Sequence, residues 1–80
     1  MQKNIERKLF EFITKILGGE NGGVSITGKM VRDSKLTRGN VSVLIAEVEM
    51  YYAIEIPLDD TGLICLMSVK QFAEYIDARI

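Results

Sequence analysis

The chain has 80 residues, 48% of them hydrophobic and 26% charged, with a net charge of −1, one cysteine and no histidine. That supports a single domain with a thin stability margin, since a chain this small buries only about 60–65% of its unfolded surface. A histidine-based triad is excluded outright and a zinc site nearly so, the balanced charge gives no general footing for nucleic acid, and no apolar run approaches a membrane span.

Residues 4–17, NIERKLFEFITKIL, place Ile5, Leu9, Phe12, Ile13, Ile16 and Leu17 at helical spacing. They predict an amphipathic first helix with Asn4 as a candidate cap and Gly18-Gly19 as its stop. The glycine-rich GGENGG that follows predicts a mobile, exposed loop. Residues 23–40 have no clean period. Val24, Ile26, Met30, Val31 and Leu36 suit a long ordered loop pinned to a helical core, with a short strand at 24–27 as the competing reading.

Residues 40–53, NVSVLIAEVEMYYA, predict a second helix. Val41, Leu44, Ile45, Val48 and Tyr52 form its core stripe, and Val43, Ala46 and Met50 form another beside it. A helix this apolar around its girth is either deeply buried or used for contact. Pro57 bars its continuation. Residues 58–66, LDDTGLICL, read equally as a short helix or a strand. Ser68 and Gln71 then form an S-x-x-Q capping box for a last helix whose Val69, Phe72, Ala73, Ile76 and Ile80 face the core. Three long helices and a possible short one, with a long first loop, predict a small all-α bundle in one domain, residues 1–80.

Motifs with chemistry are few. GVSITGKM, residues 23–30, mimics a phosphate-binding loop but has Met30 where magnesium needs a hydroxyl, and lacks the strand–loop–helix setting. Asp59 and Asp60 are adjacent, so they share no face for acid–base work and suit helix capping. Cys65 lies between Ile64 and Leu66, which predicts a buried, inert thiol. Tyr51, Tyr52 and Tyr75 fall at or near core positions and predict packing. A helix-turn-helix reader could use Arg32, Lys35 and Arg38 on phosphates, but the next helix offers Asn40 and Ser42 and little else to read bases, and carries Glu47 and Glu49.

Four stretches in order, IERKLFEFITKILG, MVRD, LIAEVEMYYAIEIP and SVKQFAEYI, resemble the acyl carrier and peptidyl carrier proteins. The resemblance spans nearly the whole chain and is ungapped from Ile5 to Pro57; the segment after Pro57 is about two residues longer than usual. It implies a four-helix bundle with three long helices and one short. It also implies a carrier that catalyses nothing and holds an acyl or aminoacyl thioester on a phosphopantetheine arm. That arm is attached to the serine of an Asp-Ser-Leu motif at the start of the second helix. A helix N-terminus suits the attached phosphate.

With Met30 on the family's phenylalanine and Pro57 on its proline, Asp-Ser-Leu falls on Thr37-Arg38-Gly39. Arg38 cannot accept the arm. Ser34 follows Asp33 and keeps a displaced Asp-Ser pair, Ser42 lies about one turn late, and Thr37 is the wrong residue type for the usual attachment and suits a helix cap. The family's second helix is usually acidic. Here Lys29, Arg32, Lys35 and Arg38 precede it, and Val43, Ala46 and Met50 stand where acids are common, with Glu47 and Glu49 remaining. Such a surface favours an acidic or apolar partner.

The sequence therefore predicts an atypical acyl-carrier-like docking module, not an enzyme, in or near a fatty-acid, polyketide or nonribosomal-type pathway. Lys35, Arg38, Val43, Ala46, Glu47 and Met50 form its predicted contact surface. No cofactor or metal is expected. The rivals are a working carrier with 4′-phosphopantetheine on Ser34, a helical homo-oligomer using the apolar stripe, and a nucleic-acid binder. The lone cysteine and the lack of an apolar signal core near the N-terminus predict a cytoplasmic protein without a membrane partner.

Overall fold

A computed structural model describes residues 2–80. Its helices are α1 (Gln2–Ile16), α2 (Arg38–Tyr52), α3 (Thr61–Cys65) and α4 (Val69–Asp77), with a 3₁₀ turn at Leu58–Asp60 ahead of α3. Among the described residues no strand forms, and no helix is long and apolar enough to cross a membrane. α1 packs on α4 and α2, and α3 packs on α2, within 27 × 25 × 21 Å.

Ile5, Leu9 and Ile13 of α1 are buried one turn apart, as the periodicity predicts. The helix already runs through Asn4, so that residue is not its cap. It ends where Gly18 and Gly19 take positive φ and the Gly19 amide reaches back to the Thr14 carbonyl at 2.8 Å. The glycine loop is not uniformly exposed. Gly22 is buried at φ +61°, with Leu17 Cδ1 only 2.6 Å from where a Cβ would lie, and its carbonyl accepts from the Lys35 amide. The loop thus closes back on the segment before α2.

The long segment is an ordered, pinned loop rather than a strand. Val24, Met30 and Leu36 are buried and Val31 is half-buried, while Ile26 stays exposed. Two backbone bonds, Met30 N–H to the Met67 carbonyl and Lys70 N–H to the Ile26 carbonyl, both 3.0 Å, fasten it to the α3–α4 junction. The first of them lies at an isolated antiparallel bridge between Lys29 and Ser68, which is too short to build a strand.

α2 starts at Arg38, ahead of the expected Asn40, because Thr37 and Asn40 form a reciprocal capping box. Val41, Leu44, Ile45 and Val48 face the core. The helix stops at Ala53 in the left-handed region, φ 55°, and the Glu49 carboxylate accepts from the Ile56 amide at 2.9 Å, tying down the exit. Residues 58–66 resolve as turn plus α3, burying Ile64 and Cys65. Ser68 and Gln71 form the expected capping box, and Val69, Phe72, Ala73 and Ile76 are buried. Ile80, expected in the core, is 56% exposed because α4 ends at Asp77.

Candidate functional site

The N-terminus of α2 is the chemically distinctive place. Thr37 is its cap: Thr37 Oγ1 accepts from the Asn40 amide, and Asn40 Oδ1 accepts from the Thr37 amide, both at 3.0 Å. The Thr37 hydroxyl thereby satisfies a free helix amide. Arg38 is the first helical residue and is exposed. Its guanidinium lies toward α3, Nη2 falling 3.6 Å from where a Cβ on Gly62 would be. Among the described residues no acid pairs with it.

Ser34 is a loop hydroxyl turned onto its own backbone. It is half-buried, donates to the Met30 carbonyl and accepts from the Leu36 amide at 3.1 Å. Both ends of that bracket are buried anchors, Met30 and Leu36, so the hydroxyl is used to fold the loop. Ser42 lies one turn into α2, exposed, donating to the Arg38 carbonyl at 3.3 Å.

The basic residues divide. Arg32 pairs with Asp33 at 3.2 Å, and the same carboxylate accepts from the Lys29 amide at 2.8 Å. Arg32, and then that amide, hold the Asp33 carboxyl below its usual range. Lys35 only approaches Glu20, at 4.0 Å, with both side chains well exposed. At the start of α2, then, Arg38 is a cation unpaired among the described residues and Lys35 is only loosely engaged.

Val43, Ala46 and Met50 are exposed and share the face of α2 opposite its buried stripe, with Met50 82% exposed. Glu47, expected beside them, turns to α1 instead and meets Lys15 Nζ at 3.2 Å. Leu58, Leu63 and Leu66 of the turn and α3 are also exposed. Sequence reasoning missed them, since a five-residue helix has too few positions to separate a core face from an outer one by period.

Two further expectations, on the aspartates and the tyrosines, need correction. Asp60 occupies the cap position of α3 but makes no side-chain cap bond; it accepts from Tyr75 Oη at 2.6 Å, with Arg79 4.0 Å away. Tyr51 is 57% exposed rather than core, while Tyr52 and Tyr75 are half-buried, and burial raises both of their pKa values. Cys65 is buried, as its neighbours predict. Among the described residues no His, Cys, Asp and Glu cluster could hold a metal. No protein-family model matches the chain, and no curated protein matches it.

Proposed function

We propose that this protein is a carrier-like docking module of the acyl-carrier type whose arm-bearing serine has been replaced by Arg38, acting in or near an acyl-assembly pathway of the cytoplasm. The observation that carries the reading is the capping box at Thr37 and Asn40. It makes Thr37 the cap and Arg38 the first helical residue, the places that the resemblance gives to the Asp and Ser of Asp-Ser-Leu. Four helices with a long ordered first loop and a short third helix agree with it.

The residues at this position do not fit 4′-phosphopantetheine. Arg38 has no hydroxyl, Thr37 Oγ1 serves the helix cap, and Ser34 Oγ is bonded to two backbone groups of its own loop. The module works by contact. Lys35 and Arg38 present positive charge, and Val43, Ala46 and Met50 present apolar surface, to an acidic or apolar partner.

The test is intact mass after incubation with coenzyme A and a broad-specificity phosphopantetheinyl transferase. No mass change is expected. A gain of one arm sinks the reading, and loss of that gain in Ser34→Ala would assign the arm to the displaced serine.

A further inference from the structure

A second feature lies at the other end of α2, about 20 Å along the helix from Arg38. A cleft of about 430 Å³ opens between α1, the last turn of α2 and the final residue. Ile5, Tyr51, Tyr52 and Ile80 give it apolar walls, and among its lining side chains Arg7 and Lys8 are cationic and Glu11 is acidic. Its volume falls within the range of small-molecule sites, about 300–1,000 Å³.

The walls are held in place before anything binds. The exposed Tyr51 ring packs edge-on against Phe12, centroids 5.7 Å apart, and against Tyr52 at 4.9 Å. Lys8 Nζ stands 4.7 Å from the Tyr51 centroid and 5.9 Å from that of Phe12, while Glu11 holds it at 3.0 Å. The Glu11 hydrogen bond, first among its causes, raises the Lys8 pKa above its ordinary value. Arg7 is exposed and has no ion pair among the described residues. The fold thus presents ordered aromatic surface to water next to an unpaired guanidinium.

From this juxtaposition we propose that the cleft binds a small aromatic carboxylate. A flat hydrocarbon body lies against the exposed Tyr51 ring and the aliphatic walls and meets Tyr52 at an angle, since the two ring planes stand 82° apart. One carboxylate meets the Arg7 fork, the cation of the cleft that Glu11 does not neutralise. A dianion gains little more, since Glu11 already occupies one cation; a neutral ligand leaves Arg7 without its partner. Little ordering cost remains, because the aromatic side chains are already fixed. The site is independent of the carrier reading and stands or falls without it.

The experiment titrates a naphthalene carboxylate into the isotope-labelled full chain and follows amide NMR shifts. Saturable shifts are expected at residues 5–8 and 51–52, with a Kd of about 1 mM or tighter. The matching naphthyl alcohol should bind about two- to fivefold more weakly, as fits loss of an exposed ion pair. Arg7→Gln should lower carboxylate affinity by about the same factor and remove the preference over the alcohol. Tyr51→Ala should weaken both ligands about two- to tenfold. Arg7 and Tyr51 are exposed, so their variants are expected to fold, and circular dichroism checks this. Linear, non-saturating shifts overturn the proposal. Equal affinity for acid and alcohol, or saturable shifts centred on Val43 and Met50 instead, also overturn it.

Discussion

Writing the missing motif back into the chain is the sharpest test of the Arg38 register. The variant is Thr37→Asp, Arg38→Ser, Gly39→Leu. Aspartate caps a helix at least as well as threonine, so the Thr37 change keeps the capping box. Arg38 places a cation at the positive end of the α2 dipole and has no acid partner among the described residues, so its removal is favourable. Gly39 is helical, and an added Cβ would meet nothing nearer than Thr37 Oγ1 at 3.7 Å, so leucine gains helix propensity without a clash. Together these terms stabilise the fold by about 1.5 kcal/mol. That corresponds to a rise in Tm of about 6–12 °C for a domain of this size. The variant should also gain the mass of one phosphopantetheine arm under conditions where the parent gains none. Thermal melts and intact-mass measurement read the two outcomes. A variant that folds like the parent but stays unmodified, while a known carrier in the same tube is modified, refutes the register. A parent that is itself modified refutes the loss of the serine.

Phe72 is fully buried, so Phe72→Ala should cost about 3–5 kcal/mol. Total stability for a chain of this length is about 4–12 kcal/mol, so urea denaturation should show about a quarter of the margin or more gone. Ser68→Ala removes a cap whose side chain accepts from the Gln71 amide at 3.2 Å, and should cost about 1 kcal/mol in the same assay. Tyr75→Phe loses the hydroxyl bond to Asp60 and should cost about 1 kcal/mol near neutral pH. Burial, and then the Asp60 bond, raise the Tyr75 pKa above 10.0 in the folded chain. Its contribution is therefore full below pH 10 and fades as pH rises through the folded value. The alkaline loss of stability should be shallower in Tyr75→Phe, with Tyr52 supplying what remains. Light scattering at high concentration should find a monomer; a dimer broken by Val43→Lys would assign the stripe to self-association and overturn partner docking.

Most of the fold was legible because its signals are local. Ile5, Leu9 and Ile13 repeat at a helical period, Pro57 stops α2, and the Ser68–Gln71 box needs residues only three apart. The errors arise where distant residues decide. Asn4 had the right chemistry for a cap, but α1 begins earlier. Tyr51 has core spacing, yet the α2 stripe narrows at its last turn and leaves the ring to Phe12 and Lys8 of α1.

The sequence by itself determined that three apolar-periodic segments would fold as helices, and that arginine stands at residue 38 within a basic run; it left residues 58–66 open between helix and strand. Both determinations follow from periodicity, capping chemistry and residue identity, which chain neighbours specify. Only the tertiary structure decided that Ser34 is bracketed by Met30 and Leu36, that Glu47 answers to Lys15 across the α1–α2 interface, and that Tyr51 with Arg7 and Lys8 borders a cleft. Each of those depends on which helix comes to lie beside which. That is settled by burying side chains from distant parts of the chain in one core, and no local pattern encodes it.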